Sequence, residues 1–176
     1  MTCKQLGREI MYKGRAFDVM RVELSLPDGI VRPYDLVEHA DSVTVLPVDD
    51  SNCILFVTQY RVGCDCDLLE LPAGVLDDGE DPAKGASREM REETGMGATE
   101  LRRLGDFYLA PGYSSEHMVV FLATGLYPQP LEQDADEYLQ LHAIPVADAL
   151  EMAARGEIRD AKTLATLLLA SRYLTK

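Results

Sequence analysis

The sequence predicts an α+β or α/β/α layered domain, with a small separate sheet at its N-terminal end. Three observations point there. Short apolar runs bounded by turn residues dominate the chain up to about residue 75. One well-capped helix then interrupts the strands. Further strands follow, and two helical stretches close the chain.

The elements follow in order. Val22, Leu24 and Leu26 alternate with polar residues, the period of a half-buried strand. Pro27-Asp28-Gly29 is a turn, and an extended pattern resumes from Ile30 to His39. Pro33 has no backbone N–H to donate, so this second strand belongs at a sheet edge. Residues 1–42 are read as the N-terminal sheet and residues 43–176 as the main domain. Val43 to Val48 and Ile54 to Tyr60 are further strands, separated by Asp49-Asp50-Ser51-Asn52. Leu68 to Gly74 is a short strand broken by Pro72 and Gly74. Asp81-Pro82 starts a helix: the acid can accept from unpaired N–H groups of the first turn, and proline suits the first helical position. The helix is expected over residues 82–94, ending at Gly95, a residue type that tolerates the left-handed cap. Strands are expected near residues 101–109 and 117–124, then an acidic loop at 132–137. Helices are expected from Pro145 to Arg155, ended by Gly156, and from Asp160 to Tyr173.

Acids number 30 and bases 17 in 176 residues, a formal net charge of −13. Such a chain repels a phosphate backbone, which argues against a general nucleic-acid binder. It suits a protein that recruits hard cations through carboxylates. No N-terminal apolar run reads as a leader, and no stretch approaches the roughly 18 apolar residues of a membrane span, so a cytoplasmic location is expected. Cys3, Cys53, Cys64 and Cys66 form no Cys-x-x-Cys pair, and reduced thiols are their expected state. His39, His117 and His142 lie far apart and are read as ordinary structural or surface histidines.

The chemistry is concentrated between Gly74 and Met96. On the expected helix, Glu89, Glu92 and Glu93 are spaced i, i+3, i+4, so their carboxylates share one face. Ala83, Ala86 and Met90 take the other face, at the spacing of a stripe packed on a sheet. Three like charges on one stripe repel each other, and a cation bound between them reverses that sign. Mg²⁺ takes oxygen ligands and keeps several waters, so it suits a phosphate substrate.

The run reads Gly74, five residues, Glu80, seven residues, Arg88-Glu89-Met90, one residue, Glu92-Glu93, one residue, Gly95-Met96. It resembles, position for position, the box of the Nudix hydrolases. That resemblance implies a Nudix α/β/α sandwich with a mixed sheet. It implies hydrolysis of a nucleoside diphosphate linked to another group, with Mg²⁺ or Mn²⁺ as cofactor. Carried over to this chain, the metal ligands are Glu89, Glu92, Glu93 and the backbone carbonyl of Ala73. Glu92 and Glu93 are the catalytic acids of the box, while Arg88 and Glu80 orient the acids and the loop. The cations would neutralise the diphosphate and make bound water more acidic.

The flanks are similar to the ADP-ribose pyrophosphatase branch. They comprise Gln59-Tyr60-Arg61, Leu69-Glu70-Leu71-Pro72-Ala73-Gly74 and Ala110-Pro111-Gly112-Tyr113-Ser114-Ser115-Glu116. The branch implies that residues 1–42 form a sheet that swaps across a homodimer. It also implies that Arg61 contacts the diphosphate and that Glu116 serves the sugar region or a metal. Its general base comes from an acidic loop, here Glu132 to Glu137. Many relatives carry glutamates two apart there, whereas this chain has Ala135 and Glu137, so Glu137 is taken as the base with Asp134 and Asp136 as substitutes. Phe17 and Tyr34 are the aromatic candidates for stacking on the base. The implied reaction converts ADP-ribose to AMP and ribose 5-phosphate. The alternatives are a Nudix hydrolase of GDP-sugars or dinucleoside polyphosphates, and a sensor that binds ADP-ribose without cleaving it.

Overall fold

The structure, a computed structural model, describes residues 2–132 and 138–174. The chain divides into two compact units, one made of residues up to Asp41 with Tyr108–His117, the other of Ser42–Phe107 and the chain from Met118 onward.

The first unit carries an antiparallel sheet in the order β1-β2-β3, formed by β1 (Lys4–Lys13), β2 (Asp18–Ser25) and β3 (Val31–Glu38). β3 lies at the edge, where Pro33 costs no ladder hydrogen bond. The end of β3 is tied to the second segment of this unit. Val37 N–H donates to the Tyr113 carbonyl (2.7 Å) and Ser115 N–H to the Val37 carbonyl (3.0 Å). The Ser115 hydroxyl also accepts from His39 N–H (2.9 Å).

The second unit begins with β4 (Ser42–Pro47), β5 (Cys53–Arg61), β6 (Cys66–Glu70), β7 (Ala73–Val75) and α1 (Pro82–Thr94). It continues with β8 (Met96–Tyr108) and β9 (His117–Pro128), whose end residues Tyr108 and His117 fall in the first unit, and with β10 (Gln140–Pro145), α2 (Val146–Ala154) and α3 (Ala161–Leu174). β7-β4-β9-β8 form a mixed sheet in which β4 runs parallel to β9 and antiparallel to β7. β10-β5-β6 form a second, antiparallel sheet.

Alternate residues of the mixed sheet feed two apolar clusters. Val43, Val45, Val119, Phe121 and Ala123 pack on Ala86 and Met90 of α1. Leu46 and Leu122 join Ile54, Phe56, Val146, Ala149, Ile158 and Leu167. With apolar layers on both faces, β4 is buried along its whole length. Its buried Thr44 hydroxyl donates to the Pro72 carbonyl (3.1 Å). The expected α+β class holds. Ala83, in contrast, is exposed on α1 and leaves the packed stripe to Gly85, Ala86 and Met90.

Helix α1 starts and stops as its sequence dictates. The Asp81 carboxylate accepts from the N–H groups of Ala83 (3.0 Å) and Lys84 (3.2 Å), and Pro82 takes the first position. Gly95, at φ 72°, closes the other end. The caps fix where the helix begins and ends, and the packing of Ala86 and Met90 on the mixed sheet fixes which way its glutamates point.

Candidate active site

The acidic face of α1 is not a solvated charge run. Glu89 and Glu93 are only 7% and 5% exposed, and Glu92 is half-buried. Buried carboxylates require partners, and the helix and its preceding loop supply them. The Ala73 N–H, at the start of β7, donates to Glu93 Oε2 (3.2 Å). Arg88 does the larger share. Its Nη1 donates to Glu89 Oε1 (2.7 Å) and to Glu92 Oε2 (3.0 Å). Its Nε and Nη2 grip Glu80 as a fork (3.1 and 2.9 Å), and Nη2 also reaches the Val75 carbonyl (3.1 Å). Glu80 hydrogen bonding, with the charge of Glu89, pushes the Arg88 guanidinium above its ordinary value despite partial burial. The same Arg88 bonds hold the Glu80 carboxyl below the usual range. Glu80 closes the loop as well, accepting from Asp77 N–H (3.1 Å).

A cleft of about 380 Å³ opens beside this face, lined by Gln59, Arg61, Ala73, Gly74, Val75, Asp77, Arg88, Glu89 and Glu92. Arg61 is held there from below. Its Nε and Nη2 donate to the two oxygens of Glu70 (2.9 and 2.7 Å). Lys162, near the start of α3, reaches Glu70 Oε2 and lies 3.1 Å from Asp160 Oδ2. Asp160 caps α3 by accepting from the Thr163 N–H (2.9 Å) and hydroxyl (2.6 Å). Burial would push the Glu70 carboxyl up. The Arg61 bonds and the Lys162 charge outweigh it, and the carboxyl titrates below its ordinary value.

A second hollow, lined by Glu92, Glu93, Leu131, Leu139 and Leu141 among others, lies where the acidic loop leaves and rejoins the described chain.

Likeness to known proteins agrees with the box pattern of residues 74–96. The NUDIX domain pattern matches residues 38–167. The chain belongs to the Nudix family. It is 35% identical to the ADP-ribose pyrophosphatase of Bacillus subtilis (strain 168) over 162 residues, 91% of this chain and 88% of that one. It is 31% identical to the ADP compounds hydrolase NudE of Escherichia coli (strain K12), covering 96% of this chain and 91% of that one. The crystal structure of an ADP compounds hydrolase superposes with a TM-score of 0.87 at 29% identity, over 99% of this chain and 95% of that one.

Nudix hydrolases generally need a divalent cation, and the residues of this chain fit one. The donors are hard oxygens, the type that Mg²⁺ prefers. Gly74 packs so closely on the Glu89 carboxylate that a Cβ there would overlap it. Among the described residues no three His, Cys, Asp or Glu side chains converge closely enough to hold an ion as they stand. Glu89 and Glu92 are instead bonded to Arg88, which offsets their repulsion. Arg88→Ala should therefore lower stability in metal-free buffer by about 2–3 kcal/mol, because three partly buried carboxylates lose their cation. Added Mg²⁺ should then raise the melting temperature of the variant more than that of the wild type. Thermal unfolding with chelator and with Mg²⁺ checks both, and equal melting temperatures in chelator would rule the effect out.

Of the expected site residues, the second unit brings Arg61, Ala73, Glu89 and Glu92 to one cleft, and Glu93, on the same helix as Glu89 and Glu92, accepts from the Ala73 N–H. Phe17 and Glu116 belong to the first unit, where Phe17 is exposed. Glu137, with Asp134 and Asp136, lies outside the described residues. Glu70, Asp160 and Lys162 were not anticipated from the sequence, although Glu70 sits inside a quoted flank.

Proposed function

We propose that this Nudix protein hydrolyses the diphosphate bond of ADP-ribose, or of a related nucleoside diphosphate sugar, giving AMP and ribose 5-phosphate from ADP-ribose. One observation carries the reading: a guanidinium and the acidic face of the box helix line the same cleft. That pairing suits a substrate that is anionic and needs cations. The names of the similar proteins, ADP-ribose pyrophosphatase and ADP compounds hydrolase, point to the same substrate class.

Glu89, Glu92, Glu93 and the Ala73 carbonyl would hold Mg²⁺, or Mn²⁺ in its place. When bound, the cation neutralises the diphosphate and acidifies water at the cleft. The chain's own residues do the rest. Arg61 binds and orients the diphosphate through hydrogen bonds that a planar fork makes well. Of the two catalytic acids, Glu92 places negative charge on the cleft, and Glu93 places it beside Ala73 and in the neighbouring hollow. Glu137 takes the proton of the attacking water, with Asp134 or Asp136 able to substitute. Leu131 and Leu139, which flank that loop, line a hollow with Glu92 and Glu93, which supports this assignment.

Phe17 is proposed to stack on the nucleobase, Glu116 to bond the sugar region, and residues 1–42 to form the contact of a homodimer, with residues 43–176 as the hydrolase domain. A cytoplasmic enzyme with no nucleic-acid or membrane partner completes the reading. Among the described residues no helix is long and apolar enough to cross a membrane.

Product analysis with Mg²⁺ across ADP-ribose, GDP-mannose, UDP-glucose and diadenosine polyphosphates tests the proposal, with ¹⁸O-water marking the attacked phosphorus. AMP and ribose 5-phosphate should dominate. Faster cleavage of GDP-mannose or of a dinucleoside polyphosphate would assign a different Nudix substrate. Binding of ADP-ribose without AMP release would make the protein a sensor.

A further inference from the structure

We infer that Lys162, acting through Glu70, is a positioning residue that keeps Arg61 available to the anionic diphosphate; this rests on the reading of Arg61 given above. The argument begins with charge. Arg61 is clamped to Glu70 through Nε and Nη2, so Glu70 alone would both fix the guanidinium and cancel its charge. Lys162 adds a second cation on the same carboxylate. With Asp160, the cluster holds two cations and two anions and is formally neutral. Without Lys162 it would carry one net negative charge. That charge would sit beside a cleft already lined by Asp77, Glu89 and Glu92.

Burial shows that the ammonium belongs inside this cluster. The side chains of Glu70 and Lys162 are 2% and 9% exposed, whereas that of Arg61 is 42% exposed. The chain of contacts thus runs from a buried lysine, through a buried carboxylate, to a guanidinium on the open cleft.

Stability is a poor explanation for Lys162. Buried ion clusters are often no better for stability than apolar packing of the same volume. Lys162 is also the second residue of α3, at the positive end of the helix dipole, where a cation is disfavoured. The placement makes electrostatic sense if the charge compensates Glu70 so that Arg61 need not.

The test uses steady-state kinetics on ADP-ribose with Mg²⁺, with melting temperatures measured in parallel. Arg61→Ala should raise KM. Lys162→Met should raise KM about tenfold with kcat within about twofold, the pattern of lost binding that is uniform between ground and transition states. Lys162→Arg, which keeps the charge, should stay near the wild-type KM. The double variant R61A/K162M should be no worse than R61A. Asp160→Asn keeps the helix cap, removes one negative charge and should lower KM about threefold, which preserves a test if Lys162→Met does not fold. A merely structural lysine would lower the melting temperature of Lys162→Met and leave KM unmoved, which would overturn the inference. So would KM effects of R61A and K162M that multiply, or an Asp160→Asn variant with unchanged KM. If active R61A enzyme shows the wild-type KM, Arg61 is not the diphosphate ligand, and both readings fall together.

Discussion

Glu93→Gln is expected to lower kcat/KM for ADP-ribose by about 10³-fold while leaving the fold in place, if Glu93 is the metal ligand proposed above, since losing such a ligand removes several kcal/mol of transition-state stabilisation. The geometry separates charge from shape. The Glu93 side chain is nearly buried and its Oε2 accepts from the Ala73 N–H at 3.2 Å. The amide oxygen of glutamine can accept the same hydrogen bond, so β7 and α1 should stay docked. What the variant loses is a negative charge beside Ala73, whose carbonyl is proposed as a further ligand of the cation. The melting temperature in chelator should stay close to that of the wild type, or rise, because one of three neighbouring acids has been neutralised. The gain in melting temperature on adding Mg²⁺ should shrink. Kinetics and thermal unfolding with and without Mg²⁺ check the three statements together. An active Glu93→Gln enzyme, within a few fold of wild type, would remove Glu93 from the chemistry.

Much of this site was legible in the sequence because helix geometry converts spacing into position. Asp81-Pro82 and Gly95 fix where α1 begins and ends, and the i, i+3, i+4 spacing then places Glu89, Glu92 and Glu93 on one face. Burial of that face was not legible, since a run of acids at this spacing reads equally as a solvated surface. The network around Arg61 was invisible for another reason. Glu70, Asp160 and Lys162 meet Arg61 only through the pairing of β5 with β6 and the docking of α3, and no local period records such contacts. β1 escaped because strand patterns depend on one buried face. Its residues are almost all exposed, and register shifts between Gln5 and Gly7 and between Ile10 and Tyr12 break the alternation. β10 is short and ends at Pro145, which the sequence assigns to the helix that follows.

Gly74→Ala should cost activity far more than stability. Gly74 is not among the glycines at positive φ, so its backbone is open to any residue. Gly95, at φ 72°, is required for the opposite reason: its conformation is left-handed, and the space around it is nearly empty. At Gly74 the constraint is the room a side chain would take. A Cβ built there would lie closer than 3.0 Å to Cδ, Oε1 and Oε2 of Glu89. The colliding atoms are the end of a flexible side chain, so the protein can relieve the overlap by swinging the carboxylate away. That movement would part Glu89 from its bond to Arg88 Nη1 and from the Ala73–Gly74 wall of the cleft. Because a displacement of about 1 Å at a reacting centre can cost on the order of 10²-fold, kcat/KM should fall by about 10²- to 10³-fold. The melting temperature should drop by only a few degrees, in line with roughly 1 kcal/mol. Kinetics and unfolding of Gly74→Ala decide the point. Near-normal turnover would mean that Glu89 need not stand where the glycine leaves it, and a collapse of stability would mean that the glycine serves the fold rather than the placement of an acid.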